Sequence, residues 1–444
     1  MVTSRAPRRG HAVVVGASMA GLLAARVLSE TFAQVTVVDR DLLPDDPTAR
    51  RGVPQGRHAH GLLARGREIL EELFPGLTED LVQQHGAVAA DIQRDAAWIN
   101  DGHPVRRDFA DMLCLVASRP LLEWYVRGRV AALPGVTLRP NTEALGLVAD
   151  GPSTRRRPRA VTGLRVLAGG EESVLAADLV VDATGRSNRG PTWLGELGYE
   201  PPAEEKIDPG VIYVSATFER KPDDYDGIAA IVGATLINPR GSVVLAVEND
   251  RWMVTLFGMG DEAPTDPQGY VEWAARLPRP DIHQAIAPAR VVERPHRMRV
   301  GPSTWRRYDR LRRFPDGYLV IGDAICALNP AYAQGMTTAA VEALALRDCL
   351  ARGRRGLARR FFTRTAKIIA IPWSVSVTAD LRFPHVAGRR TRAIRFLNWY
   401  IARLHRVATR DGAVGKAFLR VANLIDPPQR LFAPTLAVKV LRGR

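Results

Sequence analysis

From His11 to Asp39 the chain reads HAVVVGASMAGLLAARVLSETFAQVTVVD. Val13-Val14-Val15 is a short, wholly apolar run, as expected of a strand buried on both faces. Gly16 to Gly21 follows at once, then a helical pattern from Leu22 to Leu28, then a second strand at Val35 to Val38 that ends on Asp39. Strand, glycine turn, helix, strand and acidic residue in this order predict a dinucleotide site. Asp39 lies 23 positions beyond Gly16, against the roughly 20 of such folds. Gly16 allows the tight turn, and Gly21 lets the helix lie close to the strand. The helix start at Met19 and Ala20 offers free N–H groups and a partial positive charge to a pyrophosphate. Asp39 can accept hydrogen bonds from a ribose. Ser18 stands where the middle glycine usually does, so the pattern is GxSxxG. Arg5, Arg8 and Arg9 before an apolar run resemble an export signal, but glycines break the run and cleavage would remove the best motif in the chain.

The chain has 444 residues, enough for two or three domains. No stretch reaches the ~18 uninterrupted apolar residues of a membrane span. Cys114, Cys326 and Cys349 show neither disulfide nor metal spacing, which points to a reducing, cytoplasmic setting. The net charge of +15 is unevenly spread. Residues 351–444 hold 21 Lys and Arg against Asp380, Asp411 and Asp426, a net of +18 that leaves −3 for the rest.

Past Asp39 and Arg40, a Pro-, Asp- and Arg-rich loop leads to GVPQGRHAHG at residues 52–61. Its His58 and His60 lack a third ligand at helical spacing, so no metal is expected. Arg57, between glycines, suits an anion or a flavin ring better. Residues 86–110 alternate as short strands, and Cys114 to Ser118 is strand-like. Ser118 is placed to cap a helix starting Arg119-Pro120, with Arg119 able to point back at a phosphate. Residues 136–138, 144–148, 161–166 and 174–175 look like a meander, with a charged turn at Ser153 to Arg159. Ala177 to Ser187 reads as an apolar strand feeding a turn at Gly185, a second place for backbone to approach a cofactor. Residues 211–218, 229–237, 242–248 and 251–258 alternate as strands of an antiparallel sheet, followed by a loop and helix over Pro264 to Leu277. Tyr318 to Ala324 is again an apolar strand running into Gly322-Asp323. Asn329 to Thr337 then opens a long Ala/Leu helix, at whose start Gly335 and Met336 present free N–H groups.

GASMAG with Asp39, VVDATGRSN, and YLVIGDA followed by NPAYAQGM resemble, in order and separation, the three fingerprints of FAD-dependent monooxygenases of the para-hydroxybenzoate hydroxylase type. The GVPQGRHAHGL loop and the basic tail are most similar to the flavin epoxidases of polyether polyketide biosynthesis and to the squalene epoxidase-like branch. The resemblance implies an α/β fold: a Rossmann-type, glutathione reductase-like FAD-binding domain over 1–85, 111–205 and 301–350. An inserted, mainly antiparallel β substrate domain would span 86–110 and 206–300, with a basic C-terminal helical region over 351–444. By the same resemblance FAD would be held by Gly16, Ser18, Met19, Ala20, Gly21, Asp39, Arg40, Arg57, Arg119, Gly185, Asp323, Gly335 and Met336. The middle fingerprint departs from the usual adjacent Asp-Gly, having Asp182-Ala-Thr-Gly185, which puts the role of Asp182 in question.

The family implies that reduced FAD meets dioxygen, forms a C4a-hydroperoxide and passes one oxygen atom to an electron-rich alkene or ring. Epoxidation of a large apolar polyketide or terpenoid is the leading expectation. Hydroxylation of an aromatic polyketide, or flavin-dependent reduction of isoprenoid double bonds, are the alternatives. A non-enzymatic flavoprotein is a further class. Epoxidation needs no base on the substrate, so no acid–base residue is named, and Tyr332 and Gln334 are only candidate pocket residues. No second GxGxxG unit marks a nicotinamide site, so NAD(P)H would act transiently or through a partner flavin reductase. Ile371-Pro372-Trp373 resembles the halogenase motif only superficially and sits in the wrong part of the chain. In the tail, Leu397, Ile401, Leu404 and Ala408 form an apolar helix face. Packing on the FAD-binding domain with a solvated basic face is the leading reading. A membrane surface comes next, which would make the protein peripheral, and an acidic acyl carrier protein after that. No recognised nucleic-acid-reading module is visible.

Overall fold

The computed structural model describes residues 9–151, 159–221, 224–259, 263–264 and 266–443. Arg5, Arg8 and most of the Ser153–Arg159 turn lie outside them. The quoted stretch forms the strand His11–Val15, the helix Met19–Leu28 and the strand Gln34–Val38. His11–Val15 is the centre of a five-stranded parallel sheet. The order across it is Tyr318–Val320, Leu179–Asp182, His11–Val15, Gln34–Val38, Val136–Arg139. Such a sheet is covered on both faces, and Val13, Val14, Val180, Val181 and Val320 are accordingly wholly buried. All the glycine turns that the sequence singles out fall at the carboxyl ends of these strands, where ligands bind in open α/β sheets.

Val136–Arg139 is the one part of the expected meander that does not belong to it. It joins the parallel sheet beside Gln34–Val38, while Thr142–Ala149, Val161–Ala168 and Glu171–Ala176 form a separate antiparallel sheet.

The second large element is a seven-stranded sheet. Its order is Val291–Arg299, Val211–Glu219, Arg251–Met259, Arg240–Val247, Ala229–Val232, Ala96–Asn100, His103–Pro104. Every pairing in it is antiparallel except that of Ala229–Val232 with Ala96–Asn100. One face packs on the helices Pro267–Ala275 and Asp281–Ile286 through Ile212, Val214, Val254, Leu256 and Tyr270. The expected alternation of buried and open residues is absent from Val211–Glu219, which is buried from Val211 through Phe218. The C-terminal helices cover the other face.

That placement corrects the leading reading of the tail. The helix Leu357–Asp380 does pack on the core around the parallel sheet, through Phe361, Phe362 and Ile369. The helices Arg392–Ala408, Gly412–Ala422 and Pro434–Arg442 instead bury Leu404, Val407, Ala408, Val414 and Leu419 against Ile92, Ala96, Leu245, Val247 and Met253. The sheet face left bare by the first 350 residues is apolar, and covering it is the larger gain: each fully buried aliphatic side chain contributes ~1.5–3 kcal/mol.

Candidate functional site

A cavity of about 620 Å³ runs along the carboxyl ends of the parallel strands. Its nucleotide end is built on Gly16, whose φ of +108° and whose proximity to Ala183 leave no room for a side chain: a Cβ there would lie 2.6 Å from the Ala183 carbonyl oxygen. Gly21 does not line the cavity. It seats the helix, since a Cβ would fall 1.8 Å from the Gly16 carbonyl oxygen. The first helical bond is Leu22 N–H to Ser18 O at 2.9 Å, so the amides of Met19 and Ala20 have no acceptor within the helix. Both residues line the cavity, as do Ser18, Asp39 and Arg40.

The ionised side chains here form a closed network. Asp39 accepts from Ala17 N–H at 2.7 Å and from Asp41 N–H at 2.9 Å, which fixes the glycine turn. Arg50 reaches Asp39 at 3.2 Å, Asp41 at 2.9 Å and Glu123 at 2.7 Å. Arg119 pairs with Glu123 at 3.0 Å and donates to Ser18 Oγ at 2.7 Å, while Ser18 donates to Glu123 at 2.8 Å. Burial pushes the Glu123 carboxyl up, but Arg119 and Arg50 outweigh it and the net shift is downward. Burial draws the Arg119 guanidinium below its usual range despite Glu123. Ser118 caps the Arg119 helix as the sequence predicts, accepting from Leu121 N–H at 3.2 Å.

Gly185, Asp323, Gly335 and Met336 also line the cavity. Gly185 has φ +67° and open space where a side chain would be. Asp182 is sealed beneath it, accepting from the Thr184 amide at 3.0 Å, the Thr184 hydroxyl at 2.6 Å and the Tyr318 hydroxyl at 3.0 Å. Asp182 therefore shapes the turn and meets no ligand. The helix Gly335–Leu350 begins with open amides at Gly335 and Met336, its first bond to Gln334 O coming from Thr338 N–H at 2.9 Å. The buried Glu342 accepts from Gly322 N–H at 2.7 Å, and burial raises its pKa to about 8, so it is neutral at pH 7. Arg57 departs from expectation: it is not in the cavity lining, and its guanidinium lies 3.2 Å from His296. The 3₁₀ turn Pro54–Arg57 directs it outward. His58, from the same loop, goes inward instead, with Nδ1 2.6 Å from Ser215 Oγ, which binds the loop to the large sheet.

A second cavity, of about 400 Å³, lies between the large sheet and the C-terminal helices. Ala59, Gly61, Tyr213, Asn329, Pro330 and Ala333 border both cavities. Its walls are mostly apolar, including Ile92, Trp98, Leu245, Phe257, Leu397 and Ile401. Tyr332 and Gln334 line it too. The Tyr332 hydroxyl donates to Asp380 at 2.8 Å, and the Asn329 amide donates to the same oxygen at 2.9 Å.

The first cavity fits FAD on its own features. Its glycine cradle admits no side chain at Gly16. Two long helices open their free N–H groups onto it. Arg119 Nη1 and Arg50 Nη2 are buried there with no hydrogen-bond partner among the described residues, and a pyrophosphate or ribose oxygen would supply one. Arg50 and Glu123 are the residues that sequence reasoning missed. Arg50 lies in the Arg-rich loop after Asp39, and Glu123 stands four residues after Arg119, the spacing of a helical ion pair.

A family profile described as "FAD binding domain" matches residues 10–373. The chain is 36% identical over 440 residues to "Protein Rv3254" of Mycobacterium tuberculosis strain H37Rv, covering 94% of this chain and 90% of that one. It is 28% identical over 357 residues to a kynurenine 3-monooxygenase of Salinispora arenicola, covering 77% of this chain and 73% of the other. Among solved structures, the flavin-dependent brominase Bmp2 superposes with a TM-score of 0.69 at 16% identity, over 98% of this chain and 100% of Bmp2. At that identity the likeness shows a shared fold and nothing of the chemistry.

Proposed function

The chain belongs to the FAD binding domain family, whose para-hydroxybenzoate hydroxylase-like members are FAD-dependent monooxygenases, and we propose that it inserts one oxygen atom into a carbon–carbon double bond of a large apolar natural product. The observation that carries this reading is the apolar cavity against the large sheet, which shares six lining residues with the cavity built for FAD. FAD, when bound and reduced, supplies the activation of dioxygen. Arg119, Arg50 and the open amides of Met19 and Ala20 would hold the pyrophosphate and ribose. Asp323, which lines the same cavity, would accept from a hydroxyl of the bound cofactor. The Gly335 and Met336 amides, with the positive end of their helix, would stabilise negative charge on the bound cofactor. The apolar walls orient the alkene and keep water out. One atom of dioxygen goes to the substrate and one to water, with two electrons from NAD(P)H, supplied directly or through a partner reductase.

Aromatic hydroxylation is the second reading, favoured by the name of the 28% identical relative, a kynurenine 3-monooxygenase. The basic C-terminal helices, with apolar side chains left open on them, we take as a docking face for an anionic membrane. Farnesol and 1-naphthol, each incubated with the FAD-loaded protein, NADPH and ¹⁸O₂, test the chemistry. Farnesol gaining one labelled atom as an acid-labile epoxide supports epoxidation, and a labelled dihydroxynaphthalene supports the second reading. NADPH consumption that yields only hydrogen peroxide with both probes counts against both.

A further inference from the structure

The apolar cavity has one ionisable corner that oxygen transfer does not use. Asn100, Asp101, Arg382 and His405 all line this cavity and none lines the other. Asp101 and Gly102 join the strands Ala96–Asn100 and His103–Pro104, with φ of +51° and +76°. That is the two-residue hairpin for which Asp-Gly is favoured. The hairpin presents the Asp101 carboxylate to two elements of the tail. Arg382 donates to one oxygen of it, and His405 Nδ1 lies 3.4 Å from the other.

Three facts define what His405 offers. Its ring is buried, edge-on to Phe418 at 4.9 Å between centroids. Burial, with Arg382 and His103 adding to it, draws its pKa below the usual histidine range against the pull of Asp101. The ring is therefore neutral at pH 7. Asp101 is itself held below the usual carboxylate range: burial pushes it up, but His405 and Arg382 outweigh that. An ionised carboxylate can only accept, so Nδ1 carries the ring proton and Nε2 carries a lone pair. Nε2 is buried with no hydrogen-bond partner among the described residues, and so is the amide nitrogen of Asn100, which lines the same cavity. An unmet buried acceptor on a residue that lines a mostly apolar cavity is complementary to a hydroxyl, which can donate to it.

We propose that His405, oriented by Asp101, is the specificity-determining anchor of the apolar cavity and accepts a hydrogen bond from a hydroxyl group of the substrate. The substrate is then an apolar molecule bearing a free hydroxyl rather than a bare hydrocarbon, an ether or a carboxylate. A carboxylate would offer Nε2 no proton. This rests on the reading that the apolar cavity takes the monooxygenase's substrate.

The test compares 1-naphthol with 1-methoxynaphthalene, which keeps the oxygen but has no proton to donate. Binding to the FAD-loaded, full-length protein is followed by calorimetry. Wild type should bind the naphthol about tenfold more tightly. His405→Phe should bring the two probes within about twofold, and His405→Gln, which restores an acceptor, should recover part of the preference. Equal binding of the two probes by wild type, no binding of naphthol, or a preference that survives His405→Phe would each overturn the proposal. Because wild type alone gives the first comparison, a variant that fails to fold does not shield it. Calorimetry needs no turnover, so a protein that shows the preference but incorporates no label from ¹⁸O₂ sinks the oxygen-transfer reading and leaves the anchor standing.

Discussion

Asp380 closes the helix Leu357–Asp380 with its carboxyl wholly buried, one oxygen shared by Asn329 and Tyr332 and the other with no partner among the described residues. Burial raises its pKa to about 6, against the two hydrogen bonds, which favour the charged form. The unfolded value is about 3.9. A carboxyl with a raised folded pKa is best accommodated protonated, so its contribution to stability is full below about pH 4 and is lost as the pH rises through 6. Two pKa units correspond to up to about 3 kcal/mol. Asp380→Asn keeps an acceptor for Tyr332 and Asn329 and cannot ionise. Thermal midpoints should therefore match wild type at pH 4 and exceed it at pH 8, with the gap opening between those values. A gap of the same size at both pH values would mean that the charge on Asp380 costs the fold nothing. The same scale shows why Arg50 and Glu123 escaped the sequence reading: Arg50 meets Glu123 across 73 residues of chain, where the helix Arg119–Ala131 lies beside its loop, and a single arginine in an arginine-rich loop carries no local mark of that partner.

At the scale of elements, the strand–turn–helix units were legible because their signals are local. A run such as Val13-Val14-Val15 can only be a doubly buried strand when glycine stops it at once, and Gly16 and Gly21 mark contacts within a few residues of themselves. Gly21→Ala tests the closest of these. The added Cβ would sit 1.8 Å from the Gly16 carbonyl oxygen, so the helix Met19–Leu28 must retreat from the strand and take its open amides with it. The expected outcome is a folding loss of at least ~1–3 kcal/mol, the usual scale of overpacking, together with at least a tenfold fall in FAD affinity by fluorescence titration. Normal FAD affinity in the variant would show that the helix N-terminus is not part of the cofactor site. The strand Val291–Arg299 was not legible. It has no wholly buried residue and carries Arg294, Arg297 and Arg299, so no apolar alternation marks it. Pairing with Val211–Glu219 makes it a strand at the edge of the large sheet. The destination of the tail was half legible: the apolar face through Leu397, Ile401, Leu404 and Ala408 was evident, but a face does not say which surface it will cover.

At the scale of the whole molecule, charge and apolar exposure meet on the C-terminal helices. The helices Arg392–Ala408 and Pro434–Arg442 lie against each other and leave open Phe396 and Leu441, each 52% exposed, and Trp399, 47% exposed. Arg392, Arg395, Arg403 and Arg442 belong to the same two helices, and Arg403 lies over the Trp399 ring at 5.5 Å. No helix among the described residues is long and apolar enough to cross a membrane, so contact with a bilayer would have to be in the plane of its interface, aromatic side chains in the headgroup region and arginines on anionic lipid. Phe432 ties this face to the chemistry: it stacks on Tyr400 at 4.6 Å, is 38% exposed and also lines the apolar cavity. A lipophilic substrate dissolved in a bilayer would thus have a short path to the cavity. Vesicles of phosphatidylglycerol should sediment the full-length protein, vesicles of phosphatidylcholine should do so weakly, and about 0.5 M salt should release it, since screening acts within a few ångströms there. Phe396→Ser with Trp399→Ser should weaken binding to the anionic vesicles about fivefold or more while leaving bound FAD unchanged. Equal recovery with neutral and anionic vesicles, or with wild type and the double variant, would leave the open aromatic face without a membrane role and turn attention to an acidic carrier protein as what meets these arginines.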